Sequence, residues 1–136
     1  MRLCLCLMLS GAGVAAAAGK YPAVTGVWRG RMEGVPAVVI TISDEGDELT
    51  GAMLFYLVRR EQGQPPRSAA GSPEPMFNLK FDGKALDFRV SHRRAHGAKT
   101  ANDPPVNFRL TITGPNEARI VREGAEKDAL PLVRDP

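Results

Sequence analysis

The sequence predicts an all-β domain, an antiparallel up-and-down barrel of about eight strands. Apolar and polar residues alternate at period two along most of the chain, short turn signals separate the alternating segments, and no window carries a helical period. A row of antiparallel strands has two unpaired edges unless it closes, and closure into a barrel removes them. A β-sandwich is the alternative, but most connections are too short for the crossovers that it usually needs.

Length and composition agree with one folded domain. The chain has 136 residues, of which 43% are hydrophobic and 24% are charged, and its formal net charge is +3. These values exclude a disordered chain and a multi-pass membrane protein. We therefore expect a single barrel domain over residues 19–136.

The first 18 residues have the order of a secretory signal peptide. Arg2 precedes an apolar run from Leu3 to Leu9, and a stretch of small residues follows it. The run is shorter than the roughly 20 residues that cross a bilayer, so no integral membrane anchor is expected. Cleavage within 16–19 would give an exported protein, periplasmic or secreted, without Cys4 and Cys6.

Eight alternating segments follow the signal in order. They are Val24–Glu33, Ala37–Ser43, Leu49–Val58, Met76–Phe81, Lys84–Ser91, Val106–Thr113, Glu117–Arg122 and Leu130–Arg134. On the first six segments the apolar side chains recur at every second position. The last two segments are shorter and show a weaker pattern. Asp82-Gly83 is the strongest hairpin signal, and Gly34, Asp44–Asp47 and Gly114–Asn116 mark other tight turns. The alternation places Trp28, Phe55, Phe77, Phe88 and Phe108 in one core.

The first strand carries a family resemblance. Thr25-Gly26-Val27-Trp28 resembles the G-x-W signature of lipocalins and related calycin barrels. In that family the tryptophan packs at the closed end and an arginine near the last strand lies across its ring, which implies that Arg134 covers Trp28. The chain also resembles short uncharacterised bacterial exported proteins in its Ser-His-Arg-Arg-x-His stretch, Ser91–His96, and that likeness implies no activity.

Loop parity and strand register together indicate a candidate site. In a meander the connections after odd-numbered strands share one end, and the two long ones, Arg59–Pro75 and His92–Pro105, both fall there. The inward positions of the third, fifth and seventh strands continue to basic residues at this end. An apolar lumen with a cationic lip suits an apolar or anionic amphiphilic ligand. The candidate rim comprises Arg59, Arg60, His92, Arg93, Arg94, His96 and Arg122.

Three classes of function remain open. The first is a barrel that binds a small ligand, and the second is a structural or interaction module of the cell envelope, because eight strands can be filled by their own side chains. The third is a small hydrolase that uses His92 or His96, although no catalytic motif supports it and a non-enzymatic role is favoured. His92 and His96 are four residues apart in a Gly- and Ala-containing loop, where that spacing does not indicate a metal. We expect no catalytic residue, cofactor, metal or nucleic-acid partner; the oligomeric state is left open.

Overall fold

The fold is a closed, eight-stranded antiparallel β-barrel, described from a computed structural model over residues 19–91 and 104–136. Each strand pairs with the next in sequence, and β1 pairs with β8. This closure confirms the predicted up-and-down barrel and excludes the sandwich. The strands are β1 (Gly26–Met32), β2 (Val35–Glu45), β3 (Glu48–Arg59), β4 (Arg67–Phe81), β5 (Ala85–Val90), β6 (Val106–Gly114), β7 (Glu117–Arg122) and β8 (Leu130–Arg134). A short 3-10 turn, Glu126–Asp128, precedes β8. The expected signal peptide lies outside the described residues.

The turn between β4 and β5 shows why the hairpin signals are reliable. Gly83 has φ +99°, a conformation that few residues other than glycine adopt. One oxygen of the Asp82 carboxylate accepts hydrogen bonds from the backbone N–H of Lys84, at 2.9 Å, and of Ala85, at 2.8 Å. These bonds, that from Ala85 foremost, hold the pKa of Asp82 below its ordinary value. The side chain thus reinforces the turn that the Asp-Gly pair predicts.

The half of the barrel nearer the short turns is solidly packed. Trp28, Ile40, Leu86 and Leu110 are fully buried there, and the Trp28 indole N–H donates a hydrogen bond to the Val24 carbonyl at 2.8 Å. Gly30 of β1, two residues beyond Trp28, also faces the barrel interior. A Cβ at Gly30 would lie 2.7–2.9 Å from side-chain atoms of Leu130, Val38 and Leu132. Only glycine allows these side chains to fill the space beside β1.

Strand β4 begins nine residues earlier than the alternation predicts. The long connection expected over Arg59–Pro75 is therefore wrong, and residues 60–66 alone link β3 to β4. Pro73 and Pro75 suggested a loop, since proline cannot donate to a sheet ladder. Among the described residues this part of β4 pairs with β3 only, because pairing with β5 starts at Met76. A strand paired on one side tolerates proline nitrogens on its other side.

Phe77 lies outside the core, contrary to the prediction. Its side chain is 46% exposed, because the β4–β5 register shifts between Phe77 and Lys80, and Asn78 has φ +52°. Before this bulge the buried residues of β4 are Glu74 and Met76. The bulge adds one residue, so the side-chain parity reverses after it. Beyond it, Leu79 and Phe81 pack against the core as predicted.

The other four aromatic residues of the predicted core, Trp28, Phe55, Phe88 and Phe108, divide between the two ends of the lumen. Trp28 and Phe88 are buried in the core, as predicted, and Phe108 packs partly buried against it. Phe55, which was also predicted in the core, is instead 37% exposed at the end opposite the short turns. The Phe55 and Phe108 rings are 5.9 Å apart, and Phe108 stacks on Phe88 at 5.7 Å. These rings lead from the packed core towards an open end.

Candidate functional site

The lumen contains a pocket of about 350 Å³ at the end where β1 joins β2 and β7 joins β8. This is the end at which loop parity placed a site. Strands β2, β3, β6 and β7 supply most of its wall. The wall is largely apolar and includes Val38, Met53, Phe55, Phe108 and Ile120. The pocket thus has the size and the apolar lining that are typical of small-molecule sites.

The floor of the pocket coincides with the top layer of the packed half. Met53 lines the pocket and is opposite Ile40 on β2, which is fully buried. On the other side of the lumen, Ile120 lines the pocket and is opposite the fully buried Leu110. The hollow therefore ends at the level of Met53 and Ile120, and the barrel is neither filled throughout nor open from end to end.

Arg122 is the member of the candidate rim that lines the pocket within the described residues. It ends β7 and is opposite Phe108 on β6, two residues beyond the buried Ile120. No register shift separates Ile120 from Arg122, so the inward parity of the strand continues to the mouth. Arg122 consequently lies at the edge of an apolar cavity.

Arg59 and Arg60 are exposed and do not line the pocket. The last β2–β3 pair is Val38 with Phe55, whereas β3 and β4 remain paired as far as Arg59 with Arg67. The end of β3 therefore continues as a two-stranded ribbon, in which Tyr56 and Val58 line the pocket whereas Leu57 is 51% exposed. Arg59 lies two residues after Leu57, on the face that points away from the pocket.

Arg60 instead braces the β1–β2 turn. Its Nε donates a hydrogen bond to Oε1 of Glu33 at 2.5 Å, and this bond holds the pKa of the Glu33 carboxyl below its ordinary value. Glu33 has φ +51°, so the pair secures a turn residue in the left-handed region. The four remaining rim candidates, His92, Arg93, Arg94 and His96, lie outside the described residues.

Asp128 is a mouth residue that sequence reasoning did not assign. It lies in the 3-10 turn before β8 and borders the pocket together with Arg122. In the described part of the chain, neither side chain has a hydrogen-bond or ion-pair partner. The sequence shows an acidic loop between β7 and β8, but only the turn geometry selects which of its carboxylates reaches the pocket. Among the described residues, the mouth thus presents one cation, Arg122, and one anion, Asp128.

Trp28 and Arg134 meet at the opposite, closed end. The Arg134 guanidinium carbon lies 5.0 Å from the centroid of the Trp28 ring system, within cation–π range. Nη1 of Arg134 donates hydrogen bonds to the carbonyl oxygens of Pro22 at 2.8 Å and Thr25 at 3.2 Å. Nη2 donates to the Pro115 carbonyl. Arg134 therefore ties β8, the segment before β1 and the β6–β7 turn together over the tryptophan.

Within residues 19–91 and 104–136, no three His, Cys, Asp or Glu residues are grouped so that they could hold a metal ion. No helix in the same ranges has the length and apolar character required to cross a membrane. Comparisons with protein-family models, curated proteins and solved structures find no match for this chain.

Proposed function

We propose that the protein is an exported, lipocalin-like barrel that binds a small apolar or anionic amphiphilic molecule in its open half. The observation that carries the proposal is the apolar pocket of about 350 Å³, closed at its floor by Met53 and Ile120 and open at the loop-rich end. Proteins rarely leave an apolar hollow of this size without a use, because unfilled space forfeits packing energy. The signal-like order of residues 1–18 supports export.

The mouth supports a ligand with a charged or strongly polar head. Arg122 offers a guanidinium at the pocket edge, and guanidinium groups form charge-assisted hydrogen bonds with carboxylates. Asp128 is on the same edge and repels a second negative charge. A monoanionic head, such as one carboxylate, is therefore favoured over a dianionic head such as a phosphate monoester.

The experiment is calorimetric titration of the protein with sodium decanoate below its micelle concentration. Arg122→Ala should weaken binding about tenfold, the lower end for a lost charge-assisted hydrogen bond at a solvent-accessible position. Arg119→Ala is the matched control, because Arg119 is an exposed arginine of the same strand and does not line the pocket. Asp128→Asn should tighten binding, since it removes a negative charge from the mouth. Wild-type protein that shows no saturable binding would favour the module with a structural role instead.

Decanol distinguishes the head from the tail. It has the same alkyl chain without a charge, so its affinity should not change between wild type and Arg122→Ala. If Asp128→Asn weakens decanoate binding, repulsion by Asp128 does not select the head group, and the preference for a monoanionic head is wrong.

A further inference from the structure

We infer that Met53 sets the length of the alkyl chain that the pocket accepts, and that the ligand is a single chain of about eight to ten carbons. This inference rests on the proposed function and specifies its ligand. It follows from the volume of the pocket, the position of its floor and the shape of the floor residues.

The volume limits the ligand to about a dozen non-hydrogen atoms. The pocket holds about 350 Å³, near the lower end of the roughly 300–1,000 Å³ typical of ligand sites. Groups the size of a water molecule occupy roughly 30 Å³ each in a liquid, so about twelve of them fill the space. A carboxylate head with eight to ten carbons in total has ten to twelve non-hydrogen atoms. Longer chains would have to leave carbons exposed at the mouth.

The floor prevents a longer chain from passing deeper into the barrel. Met53 is only 2% exposed although it lines the pocket, so its side chain is pressed against the packed layer below. Ile40, its neighbour on β2, is fully buried, as is Leu110 beside Ile120. The end of an alkyl chain that enters beside the contacting Phe55 and Phe108 rings therefore meets Met53 and Ile120.

Met53 is the residue whose change should move the floor. Met53 has the longest side chain of the buried residues that line the pocket, the others being Ala37, Val38 and Ile120. Met53→Ala removes three side-chain atoms, on the order of 90 Å³ at the same roughly 30 Å³ per group. That space accommodates two to three further carbons directly below the present end of the pocket.

The test is the affinity of the protein for straight-chain alkanoates of six to sixteen carbons, measured by calorimetry below their micelle concentrations. Wild-type protein should bind chains of eight to ten carbons best and a fourteen-carbon chain at least tenfold more weakly. Met53→Ala should move the optimum two to three carbons longer. Met76→Ala is the matched control, because Met76 is also a buried methionine of the core but does not line the pocket, so its optimum should not move.

Val38→Ile provides an independent variant if Met53→Ala does not fold, as judged by the fluorescence of Trp28. It adds one methyl group to the pocket wall and should shift the optimum towards shorter chains. An affinity that rises steadily to sixteen carbons, or an equal shift in Met53→Ala and Met76→Ala, overturns the role of Met53 but leaves ligand binding intact. Wild-type protein that binds no chain of any length overturns the proposed function itself.

Discussion

Replacing Arg134 by methionine should destabilise the closed end of the barrel by about 3 kcal/mol. Methionine keeps an apolar stem over Trp28 but removes the positive charge and every hydrogen-bond donor of the guanidinium. The change therefore tests the electrostatic part of the contact and leaves most of the apolar cover in place.

The magnitude follows from two contributions. The guanidinium carbon is 5.0 Å from the centroid of a fully buried indole, a cation–π contact worth about 1 kcal/mol. The bonds from Nη1 to the Pro22 and Thr25 carbonyls, at 2.8 and 3.2 Å, come from a charged donor. A bond of this kind contributes about 1.5–3 kcal/mol when it is well protected. Because this site is partly exposed, we take about 2 kcal/mol for the two bonds together. A loss of about 3 kcal/mol corresponds to a thermal midpoint about 10 °C lower.

The measurement is urea unfolding followed by the fluorescence of Trp28, the single tryptophan of the chain. Arg29→Met is the matched control. Arg29 forms an ion pair with Asp135 at 2.8 Å, but the two side chains are 54% and 40% exposed, and such pairs contribute about 0–1 kcal/mol. If Arg134→Met costs no more than this control, the guanidinium does not hold the closed end together.

Two further predictions concern the bulge of β4 and the turn between β4 and β5. Phe88→Ala should cost about 3–5 kcal/mol in urea unfolding because Phe88 is buried, whereas Phe77→Ala should cost under about 1 kcal/mol; equal losses would contradict the bulge at Asn78. The folded-state pKa of Asp82 is lowered, so the stability that its carboxylate contributes is present above about pH 4 and is lost as the pH falls through the folded pKa. The thermal midpoint should therefore fall more between pH 5 and pH 3 in wild type than in Asp82→Asn, and parallel curves would show that the turn bonds do not depend on the charge.

Hydrophobic alternation is sufficient to locate the strands, but it does not predict throughout which residues of each strand face the interior. The predicted ends agree with the structure within two residues for every strand except the start of β4. Alternation is a local signal of period two. A bulge inserts one residue into that pattern, and no distinctive residue in the sequence marks where it occurs. In a regular strand the inward positions of Leu79 and Phe81 extend back to Phe77, so alternation predicts that Phe77 faces inward. The bulge between Phe77 and Lys80 breaks that continuity.

The direction of each strand's side chains also decides which candidate residues reach the pocket. Arg122 is at the pocket because the inward parity of β7 runs unbroken from Ile120. Arg59 is not, because beyond Phe55 the residues of β3 that line the pocket are Tyr56 and Val58, and this change of face is not visible in the sequence of one strand. Asp128 depends on a 3-10 turn of three residues, which carries no periodic pattern to predict it. Alternation thus predicts the direction of side chains where a strand is regular. The positions at which that direction changes can be recognised only in the tertiary structure.

The bulge of β4 also constrains how this protein can change over generations. Substitutions at Phe77 or Lys80 alter a surface, but deletion of a single residue at Asn78 would exchange the inner and outer faces on one side of the deletion. Met76 and Glu74 would then move out of the interior, or Leu79 and Phe81 would. Inherited insertions and deletions of one residue are consequently tolerated in the connection of residues 60–66 and selected against within β4. Descendants of this sequence would keep the spacing from Met76 to Phe81 even where few of the residues between them survive.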